Sequence, residues 1–100
     1  MTVAEKISNI VKRNRVAVFS KTSCPYCKAT KSSLNAAGVK FHLEELDSWN
    51  ASDMEAAQDH FSKISGARSV PRVFVDGNCI GGNSEFQSTY VKTGKIKELV

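Results

Sequence analysis

Apolar and polar positions along the chain follow two periods, one typical of helices and one of strands. Near the N-terminus, apolar residues recur at helical spacing over residues 3–13, behind a capping-box sequence formed by Thr2 and Glu5. Residues 15–20 then form a compact β-branched run, which is typical of a buried strand. A second stretch with helical spacing follows at residues 25–37. The chain therefore begins as helix, strand, helix.

The same reasoning extends to the C-terminus. The predicted strands are residues 15–20, 40–46, 72–75 and 78–80, and the predicted helices are residues 3–13, 25–37, 52–66, 83–90 and 95–100. A strand that runs directly into a helix implies a parallel β-α-β unit, and the Asp76-Gly77 pair predicts an antiparallel hairpin. We therefore predict an α/β fold with a four-stranded mixed sheet and helices on both faces, in a single domain of residues 1–100.

Finer expectations concern helix faces and ends. Gly38 is expected just beyond the end of the second helix, and a second capping box is predicted to begin the third helix at Ser52. Cys79 falls in a predicted strand and is interpreted as a small buried hydrophobic residue, with regulatory oxidation as the alternative. The predicted apolar face of the second helix comprises Tyr26, Ala29, Thr30, Ser33, Leu34 and Ala37, and that of the third comprises Met54, Ala57, Phe61 and Ile64, with Gln58 near its edge.

The candidate chemistry lies where the first strand meets the second helix, in the sequence Cys24-Pro25-Tyr26-Cys27. Pro25 suits the first helical position, so Cys24 is predicted to be the N-cap, where unsatisfied backbone N–H groups stabilise a thiolate. Lys21 and Lys28 add positive charge nearby in the sequence. We therefore predict that Cys24 is a nucleophile and that Cys27, one turn further on, is its resolving thiol.

The same cysteine spacing also occurs in half of a zinc site, so a metal centre is the alternative at this point. A structural zinc site usually takes four Cys or His ligands in paired spacings. The rest of the chain supplies only Cys79, His42 and His60, and none of these is paired with another ligand in the sequence. We therefore predict no metal site.

Charge is unevenly distributed along the chain. Residues 1–40 hold eight Lys or Arg and one acid, whereas residues 41–60 hold six acids and no Lys or Arg. The basic residues are not interleaved with aromatic ones, so we predict no nucleic-acid partner, although a small anion near Cys24 would benefit from the basic half.

The sequence also bears on localisation. It has three cysteines, no apolar leader and no apolar run of membrane-spanning length, which predicts a cytoplasmic protein without a membrane partner.

Three separated elements together resemble the glutaredoxin family of the thioredoxin fold, over almost the whole chain. They are the Cys-Pro-Tyr-Cys sequence, Ser69-Val70-Pro71 before the hairpin, and Gly81-Gly82 after it. The resemblance implies that Pro71 is cis and that the backbone of Val70 pairs with the cysteinyl part of glutathione. Two positions depart from the family pattern, because Ser69 stands where Thr is usual and Glu85 where Asp is usual.

The resemblance also implies further contacts with glutathione. Lys21 and Gln58 would hold its glycine carboxylate, while Gly82, Asn83 and Ser84 would receive its γ-glutamyl carboxylate. Together with Tyr26, Val70 and Pro71, these residues form the predicted glutathione site. A lysine is a compact cation suited to a carboxylate, and a helix start is suited to an anion.

The expected activity is glutathione-dependent thiol–disulfide exchange, with glutathione or a related small thiol as co-substrate. The expected partners are glutathionylated and disulfide-containing proteins, and the chain is expected to act as a monomer. The alternative from another class is a dimer that binds a [2Fe-2S] cluster through Cys24 and glutathione. The rigid Pro25 argues against it, because in this family Ser or Gly at that position is associated with cluster binding. A thioredoxin is a second alternative, but thioredoxins usually have Gly-Pro between the cysteines.

Overall fold

A computed structural model describes all residues 1–100 and contains four strands and four helices. The strands are β1 (Val16–Ser20), β2 (His42–Glu45), β3 (Arg72–Val75) and β4 (Asn78–Gly81), and the helices are α1 (Val3–Arg13), α2 (Pro25–Ala36), α3 (Ala51–Ser65) and α4 (Asn83–Phe86). Short 3₁₀ turns cover Leu46–Ser48 and Lys95–Leu99, and a π-helical turn covers Gln87–Val91. The predicted order of elements is confirmed.

The strands form one mixed sheet in the order β2-β1-β3-β4. β1 pairs with β2 in parallel and with β3 antiparallel, and β3 pairs antiparallel with β4. The β3–β4 turn has positive φ at both Asp76 and Gly77, the backbone that a two-residue hairpin requires. The predicted four-stranded mixed sheet is therefore confirmed.

Apolar side chains cover both faces of this sheet. On one face, Leu34 of α2 and Phe86 of α4 pack with Val18 and Val73 in a cluster of ten buried residues. The opposite face holds a cluster of eight, whose members are Ile7, Val11, Ala17, Phe19, Leu46, Ala57, Phe61 and Phe74. The helices thus divide into one pair on each face, α2 with α4 and α1 with α3. Cys79 is partly buried and packs against the outside of the second cluster, so it contacts the core without being one of its buried residues.

Helix ends follow local capping chemistry. Thr2 and Glu5 form the predicted capping box. At the end of α2, the Gly38 N–H donates to the Asn35 carbonyl and the Val39 N–H to the Leu34 carbonyl, with Gly38 at φ 73°. These two bonds form a Schellman motif, so the predicted position of Gly38 is confirmed.

The predicted start of the third helix is wrong. The N-cap is Asn50, whose side-chain oxygen accepts the Asp53 N–H at 2.8 Å, so the cap lies two residues before the predicted Ser52 cap. The preceding 3₁₀ turn ends at Ser48 and the chain is extended at Trp49 and Asn50, and Asn caps a helix as well as Ser does.

Two predicted helix faces also need correction. Tyr26 is 70% exposed, and the fully buried side chain of the first turn of α2 is Cys27. Ile64, in the last turn of α3, is 49% exposed and belongs to neither core cluster.

The predicted 83–90 helix changes at Gln87 into the π-helical turn, where the Lys92 N–H bonds to the Gln87 carbonyl. β2 is shorter than predicted because only its four residues pair with β1.

Candidate active site

Cys24 lies at the N-terminus of α2, where its sulfur accepts a backbone hydrogen bond. It is the N-cap, with extended φ and ψ of −87° and 116°, and Pro25 occupies the first helical position. The Cys27 N–H donates to the Cys24 sulfur at 3.2 Å. Negative charge on this sulfur is stabilised by the hydrogen bond and by the helix dipole. The local sequence therefore produces the predicted thiolate-stabilising geometry.

Cys27 has a different environment. Its side chain is fully buried, whereas Cys24 is partly exposed. Burial raises the pKa of the Cys27 thiol to about 11, and a hydrogen bond to Cys24 acts in the same direction. Cys27 therefore stays protonated near neutral pH. The arrangement separates an accessible sulfur that can attack a substrate from a buried thiol one helical turn away.

The loop before β3 faces Cys24 from the opposite side. The Val70–Pro71 peptide bond is cis, which confirms the isomer implied by the resemblance. The Cys24 sulfur lies 3.7 Å from the Val70 carbonyl oxygen, within hydrogen-bonding distance for a thiol. The backbone of this loop is thus presented beside the reactive sulfur.

A cavity of about 530 Å³ opens next to this loop. Its lining residues are Tyr26, Ser69, Val70, Pro71, Arg72, Gly82, Asn83, Ser84 and Glu85. Six of the predicted site residues are therefore brought together, from the start of α2, the cis-proline loop and the start of α4. Lys21 and Gln58 do not line this cavity.

Lys21 lies next to Cys24, and Gln58 lies next to the segment that leads into the cis-proline loop. The Lys21 carbonyl accepts the Cys24 N–H at 3.1 Å, and the Lys21 side chain forms no ion pair. Gln58 is buried and its side-chain amide donates to the Arg68 carbonyl at 2.9 Å. Gln58 therefore supports the segment that leads into the cis-proline loop.

The side chain of Asn83 has a structural partner. Its oxygen accepts hydrogen bonds from the buried Thr30 hydroxyl at 2.8 Å and from the Gln87 amide at 3.1 Å. These bonds attach the start of α4 to the middle of α2. The side-chain oxygen of Asn83 is therefore engaged within the protein rather than free for a ligand in the cavity.

Glu85 and Arg72 complete the cavity in ways that the sequence did not indicate. The Glu85 carboxylate accepts the Gly82 N–H at 2.9 Å, so the longer acid at this position caps α4. Arg72 is buried, donates to the Pro71 carbonyl at 3.1 Å and has no carboxylate partner. The available signal for Arg72 was a charged residue at the start of an otherwise apolar strand, directly after the Val-Pro pair.

The structure contains no group of three or more His, Cys, Asp or Glu side chains that could share a metal ion. Among its helices, none has both the length and the apolar character needed to cross a bilayer.

Comparison with known proteins gives one consistent result. A family model described as glutaredoxin matches residues 16–80. Glutaredoxin-C2 of Arabidopsis thaliana is 42% identical, over 96% of this chain and 84% of the relative. The buckwheat glutaredoxin–glutathione complex superposes with a TM-score of 0.88 and 33% identity, over 97% of this chain and 86% of that one. Oxidized glutaredoxin 2 from Chlamydomonas reinhardtii gives a TM-score of 0.83 and 39% identity, over 99% and 94%.

Fold and sequence likeness thus agree on the class, which is that of thioredoxin-fold oxidoreductases with a Cys-x-x-Cys dithiol motif. The family model covers residues 16–80, and Glutaredoxin-C2 is 42% identical over most of both chains, so the assignment can be made more narrowly. The chain belongs to the glutaredoxin family.

Proposed function

We propose that this protein is a dithiol glutaredoxin that uses glutathione to reduce glutathione mixed disulfides and protein disulfides through Cys24 and Cys27. The observation that carries the proposal is the placement of Cys24. Its sulfur accepts a hydrogen bond from the Cys27 N–H and lies beside the carbonyl of Val70, a residue that lines the cavity next to the cis-proline loop. A tripeptide thiol can align along such a loop and bring its own sulfur to the nucleophile.

The lining of the cavity supports glutathione as the thiol. The Ser84 hydroxyl and the backbone of Asn83 at the start of α4 offer donors for one carboxylate, since the Gly82 N–H is already bonded to Glu85, and Val70 offers a backbone edge for the cysteinyl part. Lys21, close in sequence to Cys24, supplies a cation without an ion-pair partner for the other carboxylate. The buckwheat relative was solved with glutathione, which is consistent with this assignment.

The monothiol route needs only Cys24. Its thiolate attacks the glutathione sulfur of a protein–glutathione disulfide, a new Cys24–glutathione disulfide forms, and the protein leaves as its thiolate and takes up a proton. A second glutathione thiolate then attacks the glutathione sulfur bound to Cys24. This step releases oxidised glutathione and regenerates the Cys24 thiolate. The net reaction consumes one glutathione, and the protein–glutathione disulfide becomes a protein thiol and oxidised glutathione.

The dithiol route uses both cysteines. Cys24 attacks a protein disulfide and forms a mixed disulfide, releasing one protein thiolate. Cys27 loses its proton, attacks the Cys24 sulfur and releases the second protein thiolate, leaving a Cys24–Cys27 disulfide that two glutathione molecules reduce. Because burial keeps Cys27 protonated, we expect its deprotonation to accompany attack rather than to precede it. We also propose that the protein works as a monomer in the reducing cytoplasm.

A reductase-coupled assay with a glutathione mixed disulfide tests the proposal. With glutathione as the reductant, the assay follows NADPH consumption by glutathione reductase. With another small thiol, release of the substrate thiol is followed directly. Activity that depends on glutathione and disappears in Cys24→Ser is the expected result, and Cys79→Ser serves as the matched control because Cys79 lies in β4, in the partly buried packing around the second core cluster. Equal activity with unrelated thiols, or activity in Cys24→Ser, would contradict the proposal.

A further inference from the structure

Asp47 reaches from the 3₁₀ turn after β2 to the turn that precedes Cys24. Both oxygens of its carboxylate lie 3.2 Å from the Thr22 backbone nitrogen, and one of them also accepts the Thr22 hydroxyl. The two residues are 25 positions apart in the sequence. A single carboxylate therefore holds Thr22 by both its backbone and its side chain.

Thr22 lies inside the turn that positions the reactive cysteine. The Cys24 N–H donates to the Lys21 carbonyl at 3.1 Å, which closes a turn over residues 21–24 with Thr22 at its second position. The same four residues connect the end of β1 to the N-cap of α2. Any change in the orientation of Thr22 alters the backbone that leads into Cys24.

The residues that precede Asp47 are held in place by packing and by an ion pair. The preceding residue, Leu46, is fully buried in the core, and its carbonyl accepts the Trp49 N–H at 3.0 Å. The residue before that, Glu45, forms an ion pair with Lys31 of α2 at 3.5 Å. The segment bearing Asp47 is thus attached to the sheet core and to the helix that contains Cys27.

Asp47 accepts these hydrogen bonds as an ionised carboxylate at neutral pH. The Thr22 hydroxyl, the largest influence, holds the pKa of the Asp47 carboxyl below its usual value of 3.8, and the charge of Lys21 acts in the same direction. Hydrogen bonds to a carboxylate are shorter and stronger than those between neutral groups. Although both partners are exposed, the contact therefore restricts the turn more than a neutral pair would.

From this geometry we propose that Asp47 is a positioning residue for Cys24, which it serves by fixing Thr22. With the turn held, the Cys24 sulfur stays aligned with the Cys27 N–H, which stabilises its thiolate. The effect on turnover rests on the proposed function. The effect on the chemical reactivity of Cys24 does not, because any small electrophile reports it.

The experiment compares four proteins: the wild type, Asp47→Ala, Asp47→Asn and the control Asp53→Ala. Asp53 is a half-buried acid in the first turn of α3 whose hydrogen bonds are with Asn50, so its loss changes the net charge equally without touching the turn. Two rates are measured, the alkylation of Cys24 by iodoacetamide at pH 7, located by mass spectrometry, and kcat/KM in the coupled assay. Thermal unfolding of each variant separates reactivity from stability.

We expect Asp47→Ala to lower both rates by about tenfold, since loosening a positioned nucleophile costs roughly that factor. Asp47→Asn should recover part of the loss, because its amide oxygen still accepts from Thr22 but lacks the charge that strengthens these bonds, and Asp53→Ala should match the wild type. Adding Thr22→Val to Asp47→Ala should cause little further loss, since both changes break the same contact.

Unchanged alkylation in Asp47→Ala would overturn the proposal, and so would an equal loss in Asp53→Ala, which would indicate net charge. Failure of Asp47→Asn to recover would also overturn it, because hydrogen bonding would then not be the cause. If the wild type lacked glutathione-dependent turnover but Asp47→Ala still slowed alkylation, the proposed function would fail while the positioning role stood.

Discussion

The Cys27 backbone N–H points at the sulfur of Cys24 over 3.2 Å, while the Cys27 side chain is fully buried. Cys27 thus contributes a backbone donor to the Cys24 sulfur and also a second, buried thiol. The two cysteines cannot exchange roles, because only Cys24 is at the end of the helix and accessible.

Replacing the exposed cysteine should abolish the chemistry. We predict that Cys24→Ser lowers turnover of a glutathione mixed disulfide at least about a thousandfold, because a serine hydroxyl is not ionised at neutral pH and cannot form the disulfide intermediate. The coupled assay measures this loss. Retention of a tenth of wild-type activity would contradict the role of Cys24.

Replacing the buried cysteine should separate the two routes. In Cys27→Ser, reduction of a glutathione mixed disulfide should persist or increase, because the Cys24–glutathione intermediate can no longer be diverted into an internal disulfide. Reduction of a protein disulfide should fall by about a hundredfold or more, because no internal thiol releases the bound substrate. Both rates are measured on one preparation, and an equal loss in both would refute the monothiol route.

The pKa of Cys27 predicts a dependence of stability on alkaline pH. Its value rises from 9.0 to about 11 in the folded protein, mainly through burial. The unfolded chain therefore loses this proton first as the pH rises, so the stabilising contribution is complete below pH 9 and is lost as the pH passes 11. Between these values the free energy of unfolding of the wild type should fall by on the order of 2 kcal/mol more than that of Cys27→Ala.

Chemical denaturation at several pH values, with a reductant present, measures this difference. Using Cys27→Ala as the reference cancels the contributions of the lysine and tyrosine side chains that titrate in the same range. Parallel curves for the two proteins would contradict the burial of the Cys27 thiol.

Gly82 provides a test of how closely Arg72 approaches the cavity. A Cβ atom at Gly82 would lie 2.9 Å from the Arg72 Nη2 and 3.4 Å from the Pro71 carbonyl oxygen, so Gly82→Ala forces the buried guanidinium to move. With φ at −96°, the backbone itself accepts alanine without strain. We predict a rise in KM of about tenfold and a stability loss of about 1–2 kcal/mol.

The matched control for this substitution is Ser84→Ala, which removes a hydroxyl from the same cavity and adds no atom. A crystal structure of Gly82→Ala should show Arg72 displaced from the Pro71 carbonyl. Wild-type kinetics and stability in Gly82→Ala would mean that the cavity wall is more adaptable than this packing implies.

Gln58 should affect the site through the Arg68 carbonyl. We predict that Gln58→Met, which keeps the side-chain length but removes the amide, costs about 1–2 kcal/mol of stability because the Arg68 carbonyl loses its donor. KM should rise with little change in kcat, since the Arg68 segment leads into the binding loop. Thermal unfolding and the coupled assay check the two effects, and Gln58→Glu should cost more stability than Gln58→Met, because it turns a buried carboxylate toward the Arg68 carbonyl.

Much of the fold could be predicted because its signals are local. The helix ends at Thr2 and Gly38 and the turn at Asp76-Gly77 are each determined by a few neighbouring residues. The Cys24 N-cap is local in the same sense, since Pro25 fixes where α2 begins. These are the features for which prediction and structure agree.

Contacts between distant segments could not be predicted in this way. Thr22 and Asp47 are 25 residues apart, and nothing near either residue indicates the other. The bond from Thr30 to Asn83 spans 53 residues and assigns the Asn83 side chain to packing, which a motif at the start of α4 cannot show. Tyr26 was misplaced because helical periodicity does not specify which neighbouring position, here Cys27, faces the core.

The outer strand β2 also bears on how the protein behaves at high concentration. It lies at one edge of the sheet, is four residues long, and carries His42, Glu44 and Glu45 among those four. An open strand edge is a template on which other chains can pair, and short, charged edges are how natural sheets avoid it. The composition of β2 therefore protects the sheet against edge-to-edge aggregation.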